Sequence, residues 1–211
     1  KDYPNLNFFM VAEDYAETPQ FDLKPGPSAC TAANASLCAR SCAAEGMCNR
    51  WVSAEEAMAN DYAYLLNFSA VCFLTARDIA KFHTSSRPIG LVFAAWGGTR
   101  VEAWMSSEAI AAASVNVVPG HAILPPLDTE QNNVSALYNA MVAPFNPLSI
   151  RAALWYQGER NCHPLPASAT ALNVTRASYY AAYLEAMIAD WRERKRMGDF
   201  AFLVMGLPPS L

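Results

Sequence analysis

Four short apolar runs constrain the fold of this chain more than any other feature of its sequence. They read LNFFMV (6–11), IGLVFAAW (89–96), RAALWYQ (151–157) and FAFLVMGL (200–207), without alternation of apolar and polar residues. Strands buried on both faces of a parallel sheet have this pattern. Helical spacings of three and four separate the runs, at Phe68, Val71, Thr75, Ile79 and Phe82 and again at Tyr180, Leu184, Met187 and Trp191. The pattern predicts an α/β fold, a parallel sheet with helices on both faces.

Length and charge limit the possible functions. At 211 residues and 53% hydrophobic composition, the chain is long enough for one sizeable core, and we expect one domain. The formal net charge of −4, from 15 basic and 19 acidic residues, gives no positive electrostatic potential that would attract nucleic acid or an anionic membrane. No apolar run approaches the roughly 18 residues of a membrane span. We therefore expect no nucleic-acid partner and no membrane span.

Glycosylation sequons and cysteines indicate the compartment. Four Asn-x-Ser/Thr sequons occur, none with proline in the middle position, at Asn34, Asn67, Asn133 and Asn173. One sequon alone arises often by chance, but four together with six cysteines favour an extracellular or lumenal glycoprotein, secreted or lysosome-like. Asn67 is the least favoured acceptor, because a helix beginning near Phe68 would use it as a cap.

The segment at about 28–50 is rich in small residues and contains four of the cysteines, Cys30, Cys38, Cys42 and Cys48. Because such a segment buries little apolar surface, disulfides among these cysteines would supply its order. A zinc site is the alternative, but the C-x7-C-x3-C-x5-C spacing lacks the paired C-x2-C knuckles that zinc prefers. We expect no metal and no organic cofactor.

Polar residues follow two of the predicted strands, where ligands bind in parallel sheets. Gly97, Gly98 and Thr99 can turn tightly and present backbone N–H groups to an anionic atom, although a simple turn is the alternative. No G-x-G-x-x-G or G-x-x-x-x-G-K-[ST] phosphate loop is present.

Gln157 ends the third run, and Glu159 follows it after one glycine. In a site, the amide would donate to a developing oxyanion, and the carboxylate would orient a histidine or act as a base. The alternative is a buried polar network, with Arg160 or Arg100 as a partner.

Three sequence blocks together resemble the sialate O-acetylesterase family of SGNH-type carbohydrate esterases. They are RPIGLVFAAWGGTRVEAWMS, LYNAMVAPF and IRAALWYQGERN, in this order and at these separations. PNLNFFMV, NFSAVCFLTARDI and FAFLVMGLPP fit the same family, and only the segment at about 28–50 is an insertion without a match. The resemblance implies a three-layer, flavodoxin-like fold, no cofactor and an acetylated carbohydrate as substrate. It also implies that Gly98 and Gln157 help to form the oxyanion hole, that Glu159 supports the catalytic histidine or the site around it, and that Gly97, Thr99 and Asn139 line the site.

The chain also departs from the family pattern. It contains neither the GQSN block of the nucleophilic serine nor the late D-x-x-H block, and His83, His121 and His163 do not replace that histidine. Arg160 stands where the family has serine after Gln-Gly-Glu. The chain thus resembles the middle of an esterase, a partial domain spanning 1–211, with serine and histidine outside it. A non-catalytic glycan-binding or structural component of an extracellular assembly is the alternative function.

The resemblance also predicts which strands are neighbours. In the family's strand order of 2-1-3-4-5, residues 6–11 form strand 2, and the three later runs form strands 3, 4 and 5. The central strand 1 would then be missing from this chain. Because the gap would leave unpaired backbone groups, we expect a further polypeptide segment to complete the sheet.

Overall fold

The computed structural model describes residues 3–26, 31, 33, 38, 40, 47–82, 87–117, 129–162 and 174–207. The chain forms two compact units. The first unit contains the residues up to Asp14 and those from Asp22 to Trp96, and the second contains Tyr15–Phe21 and everything from Gly97 onward. Among the described residues, no helix is long and apolar enough to cross a membrane.

The first unit combines a three-stranded sheet with helices. Its elements are β1 (Leu6–Met10), β2 (Trp51–Ser53), α1 (Ala54–Ala57), α2 (Ala59–Leu66), α3 (Ala70–Phe82) and β3 (Ile89–Phe93). β1 lies in the middle, antiparallel to β2 and parallel to β3. The predicted strands at 6–11 and 89–96 and the predicted helix ending at Phe82 are confirmed.

The predicted missing strand between β1 and β3 is wrong, because the two strands pair directly. Leu6 lies opposite Ile89 and Met10 opposite Phe93. Hydrogen bonds close both ends of the pair, from the Ile89 N–H to the Asn5 carbonyl at 2.8 Å and from the Val11 N–H to the Phe93 carbonyl at 2.9 Å. No backbone gap remains between these strands, so the expectation of a further polypeptide segment loses its physical basis.

Aromatic rings fill the core of the first unit. Phe8, 1% exposed, makes an edge contact with Phe68 at a centroid distance of 5.2 Å and with Tyr64 at 6.2 Å. Phe73 packs on the same ring at 6.1 Å. These contacts hold α2 and α3 against β1, and apolar burial of this kind is the main stabilising term of a small domain.

The second unit carries the remaining two strands and the longest helix. Its elements are a 3₁₀ helix (Val101–Trp104), α4 (Ser107–Val117), a 3₁₀ helix (Glu130–Asn132), a π-helix (Tyr138–Val142), a 3₁₀ helix (Ala143–Phe145), β4 (Ala152–Trp155), a 3₁₀ helix (Glu159–Cys162), α5 (Arg176–Lys195) and β5 (Ala201–Val204). β4 and β5 are parallel and form a sheet of their own. The strands and the helix predicted here are confirmed, but the single sheet expected to hold all four strands is two sheets.

Helix α5 begins at a capping box and packs against α4. The Thr175 hydroxyl accepts the Ser178 N–H at 3.0 Å, and the Ser178 hydroxyl in turn accepts the Thr175 N–H at 3.1 Å. Ser106, before α4, donates to Asp190 of α5 at 2.9 Å and also accepts the Ala109 N–H. These bonds fix the helix that supplies three tyrosines to the candidate site.

Candidate functional site

The side chain of Gln157 joins the two polar segments that follow the predicted strands. Its Nε2 donates to the Thr99 carbonyl at 2.9 Å and to Asn161 Oδ1 at 2.8 Å. Its Oε1 lies 3.0 Å from the Tyr180 hydroxyl. Both amide hydrogens are therefore occupied by neutral acceptors, and the orientation of the amide is fixed.

Asn161 and Glu102 extend this network, although sequence reasoning singled out neither. Asn161 Oδ1 also accepts the Val101 N–H at 2.9 Å, and Asn161 Nδ2 donates to Glu102 Oε2 at 2.9 Å. Glu102 is 1% exposed, on the 3₁₀ helix Val101–Trp104. Both residues lie in the segments that follow the two predicted strands, Glu102 in WGGTRVEAW and Asn161 in QGERNC. A search for pairs of polar residues across these segments would have included them.

Tyr179 completes the network from α5. Its hydroxyl donates to Glu102 Oε1 at 2.7 Å. Burial raises the pKa of Tyr179, and the adjacent Glu102 charge raises it further, so the hydroxyl keeps its proton and remains a donor. The ring stacks on Tyr183 at 4.3 Å, and the Tyr183 hydroxyl lies 3.2 Å from the Ser114 hydroxyl of α4. The polar network is thereby anchored in the packing of α4 against α5.

Gly158 allows the backbone to turn between Gln157 and Glu159. Its φ is +148°, and a Cβ there would lie 2.8 Å from Leu207 Cδ1. The residue is buried, and the Tyr180 hydroxyl beside it lies 2.9 Å from the Gln157 carbonyl while accepting the Trp155 Nε1–H at 3.0 Å. Glycine is required here both by the backbone conformation and by the space.

The Gly97–Thr99 turn presents an open backbone surface. Gly97 and Gly98 are exposed, Gly98 has a φ of +74°, and a Cβ on either residue would meet no atom within 4 Å. The Gly98 carbonyl accepts from Asn132 Nδ2 at 3.2 Å, and Asn132 Oδ1 accepts the Arg100 N–H at 2.9 Å. The space beside the Cα atoms of both glycines is therefore open.

Thr99 and Asn139, which the family resemblance places at the lining of the site, are both buried. Thr99 is 4% exposed, and its hydroxyl accepts the Trp104 Nε1–H at 3.0 Å. Asn139 is 5% exposed, and its side-chain Nδ2 donates to the Ala16 carbonyl at 3.0 Å. The backbone carbonyl of Asn139 accepts the Gln20 N–H at 2.8 Å. Asn139 therefore fastens the segment Tyr15–Phe21 to the π-helix and takes no part in the hydrogen bonds around Gln157.

Glu159 differs from Gln157 in its surroundings. It is exposed at the start of the 3₁₀ helix Glu159–Cys162, and within the described part of the chain it forms no hydrogen bond or ion pair. Gln157 thus belongs to a polar network, as the structural alternative proposed, but its partners are Thr99, Asn161 and Tyr180 rather than the suggested arginines. Glu159 stands outside that network with its carboxylate open to solvent.

Two of the four predicted disulfide cysteines lie within the described residues. Cys38 and Cys48 are both disulfide-bonded, whereas Cys30 and Cys42 lie outside the described residues. Cys72 and Cys162 are free thiols, and burial raises the pKa of Cys72 to about 11. The described residues contain no group of three or more His, Cys, Asp or Glu side chains that could hold a metal ion.

Two of the four sequon asparagines also lie within the described residues. Asn67 and Asn133 are exposed, whereas Asn34 and Asn173 lie outside the described residues, as do His83, His121 and His163. The expected capping role of Asn67 at the following helix is wrong: Asn67 ends α2 and donates to the Ala63 carbonyl at 2.9 Å. The Ser69 hydroxyl instead accepts the Cys72 N–H in the first turn of α3.

Comparisons with known proteins agree on one family. The family model described as carbohydrate esterase, sialic acid-specific acetylesterase, matches residues 27–209. Sialate O-acetylesterase from Pongo abelii is 32% identical over 141 residues, 65% of this chain and 24% of that protein. The Homo sapiens sialate O-acetylesterase is 31% identical over the same shares. The chain thus spans about a quarter of the length of these relatives.

A solved structure supports the same fold. The crystal structure of a carbohydrate acetylesterase from Xanthomonas citri matches 95% of this chain and 34% of its own with a TM-score of 0.60, at 23% sequence identity. At this identity the likeness concerns the fold alone.

Proposed function

We propose that this chain, which belongs to the sialic acid-specific acetylesterase family of carbohydrate esterases, is part of an enzyme that removes acetyl groups from sugar hydroxyls. The observation that carries the proposal is the joining of the Gly-Gly-Thr turn to the Gln-Gly-Glu segment through the bond from Gln157 Nε2 to the Thr99 carbonyl. This bond holds the carbonyl of Thr99, the residue after Gly98, against the amide proposed as the partner of Gly98 in the oxyanion hole.

The proposed chemistry is acyl transfer to a serine. A serine outside these 211 residues attacks the acetyl carbonyl, and a histidine outside them takes the serine proton. As the bond between the acetyl carbon and the sugar oxygen breaks, the histidine passes this proton to the sugar oxygen, which leaves as a hydroxyl. Water then attacks the acetyl-enzyme with the histidine as base, and acetate leaves. Within this chain, Gly98 and Gln157 stabilise the oxyanion, and Gly97 lies beside the bound acetyl group.

Gln157 must exchange a hydrogen bond to play this part, because both of its amide hydrogens are occupied. A developing oxyanion carries negative charge, and hydrogen bonds to charged acceptors are about twice as strong as those to neutral ones. The charge can therefore replace a neutral acceptor as the transition state forms. Gly98 is exposed, and its N–H forms no hydrogen bond within the described residues, so it needs no such exchange.

Glu159 is proposed to support the histidine, since its carboxylate is exposed and unengaged among the described residues. In the full-length protein, Glu159→Gln should lower kcat for acetate release from an O-acetylated sialic acid by about 10²-fold or more, as loss of acid–base support does. The melting temperature should not change. Glu185→Gln, the same change at an exposed position of α5, is the matched control.

Two outcomes would count against this role. A lower melting temperature with little change in kcat would assign Glu159 to structure. A wild-type protein that binds O-acetylated glycans but releases no acetate would favour the non-catalytic glycan-binding function, with which the occupied amide of Gln157 is also compatible.

We also propose that the protein is a secreted or lumenal glycoprotein, with Cys30, Cys38, Cys42 and Cys48 paired among themselves. The exposure of Asn67 and Asn133 and the disulfide-bonded state of Cys38 and Cys48 support this proposal. Peptide mapping of the native protein by mass spectrometry, without reduction, should find glycan on at least one sequon. Four unmodified sequons or free thiols at these cysteines would contradict it.

A further inference from the structure

The carboxylate of Glu102 is buried, and the chemistry proposed above does not use it. Both of its oxygens are engaged by neutral donors, Oε2 by Asn161 and Oε1 by Tyr179. Within the described part of the chain it forms no salt bridge. A buried carboxylate is costly to desolvate, so its position calls for a reason other than the stability of the fold.

The hydrogen bonds of Asn161 reveal that reason. An asparagine amide can be turned by half a rotation, which exchanges its oxygen and its NH2 group. Here the Val101 N–H can only donate, so it requires the oxygen on one side. The Glu102 carboxylate can only accept, so it requires the NH2 on the other side. The two requirements agree and leave one orientation.

The orientation of Asn161 determines whether Gln157 Nε2 faces a hydrogen-bond acceptor or a donor. With Asn161 Oδ1 facing it, Gln157 Nε2 has an acceptor at 2.8 Å in addition to the Thr99 carbonyl. If Asn161 turned over, its NH2 group would face the NH2 group of Gln157, and the amide of Gln157 would rotate away. The two fixed ends of this chain of bonds are the Val101 N–H on the oxygen side of Asn161 and the Glu102 carboxylate on its NH2 side.

We propose that Glu102 is a positioning residue that orients Asn161 and, through Asn161, the amide of Gln157. The effect on catalysis rests on the proposed function, but the effect on the Gln157 amide does not. Glu102 has no contact with substrate in this proposal. Its role is to hold the Gln157 amide in its orientation before the substrate binds. A small misplacement of a group that stabilises the oxyanion lowers the rate of catalysis.

The test exchanges donor and acceptor between Glu102 and Asn161. Asn161→Asp places a carboxylate oxygen against the Glu102 carboxylate, and the repulsion should displace the side chain whose other oxygen accepts from Gln157. In the double variant Glu102→Gln with Asn161→Asp, the new amide donates to the new carboxylate and still accepts from Tyr179. The bond is restored with its direction reversed.

The first measurement needs no activity. In a ¹⁵N spectrum of this chain, the two side-chain N–H signals of Gln157 should exchange slowly with water, because both are hydrogen-bonded. Asn161→Asp should shift these signals and speed their exchange, and the double variant should restore them. Tyr179→Phe, which removes the bond to the other oxygen of Glu102, should lower the melting temperature and leave the Gln157 signals in place.

The second measurement is kinetic and uses the full-length protein. Asn161→Asp should lower kcat by about 10²-fold with KM unchanged, because the oxyanion exists only in the transition state. The double variant should recover at least about tenfold of that loss, the size of coupling expected between residues in contact.

Each failure has a distinct meaning. Two results would overturn the positioning role of Glu102. One is that Asn161→Asp leaves the Gln157 signals unchanged, and the other is that the double variant recovers neither these signals nor kcat relative to the single variant. Signals that respond as expected in a protein without esterase activity would overturn the proposed function and leave the positioning of Gln157 by Glu102 intact. Should Asn161→Asp fail to fold, Glu102→Leu, which removes both acceptors, takes its place and should disturb the same signals.

Discussion

The aromatic core of the first unit and the polar network of the second are both buried, but they respond differently to change. The core around Phe8 is held by ring contacts at centroid distances of 5.2 to 6.2 Å. Such contacts have little directionality, and their strength follows the apolar area removed from water. The network around Gln157 depends on which atom donates and which accepts. The core is therefore sensitive to changes in side-chain volume, whereas the network is sensitive to exchanges of hydrogen-bond donor and acceptor.

The largest expected effect is on the core. Phe8→Ala should lower the free energy of unfolding by about 3–5 kcal/mol, because it removes a buried ring and leaves a cavity. Phe82→Ala is the matched control, since Phe82 is 85% exposed, and it should change stability by less than about 0.5 kcal/mol. Urea unfolding would measure both. Equal losses for the two variants would mean that Phe8 is not a core residue.

A smaller effect, about 10²-fold or more in kcat, is expected when Gln157 is replaced by alanine, as for other oxyanion donors. The substitution also leaves the Thr99 carbonyl and Asn161 Oδ1 without a partner, so some loss of stability accompanies it. Acetate release at saturating substrate would measure the change. An unchanged rate would remove Gln157 from the mechanism and reduce the network to a structural one.

The cap of α5 offers a way to weaken the network without entering it. Thr175→Ala removes the hydroxyl that accepts the Ser178 N–H and should cost about 1 kcal/mol. Because Tyr179 and Tyr180 follow in the first turns of α5, hydrogen exchange at Gln157 should accelerate modestly. Thr175→Ser, which keeps the acceptor, should restore both values. Exchange that stays unchanged while stability falls would separate the cap from the site.

The smallest effect concerns Lys195, whose Nζ donates to the Phe145 carbonyl at 2.6 Å. Burial lowers the pKa of Lys195 from 10.5 to about 8. Between these values the unfolded chain binds more protons than the folded one, so the contribution of Lys195 to stability rises with pH. Urea unfolding from pH 8 to 10 should show this rise in the wild type relative to Lys195→Met. Parallel pH curves for the two proteins would contradict the lowered pKa.

Local patterns in the sequence predicted the elements well and their neighbours poorly. Unbroken apolar runs located β1, β3, β4 and β5, and the three-and-four spacing located α3 and α5. The pairing of β1 with β3 escaped prediction, because a periodic pattern shows that a strand is buried but does not identify the strand beside it. The three-residue strand β2 has no periodicity long enough to detect.

For the site, the sequence alone determined which segments carry polar residues at the ends of apolar runs, and it determined the family through three blocks in a fixed order. Only the tertiary structure decided that Gln157 meets Thr99, Asn161 and Tyr180, while Glu159 stays exposed. The reason is physical: apolar burial leaves a periodic mark on the sequence because it depends on which face of an element a residue occupies. A hydrogen bond depends on the placement of two atoms from distant segments to within a few tenths of an ångström, and no local pattern records that placement.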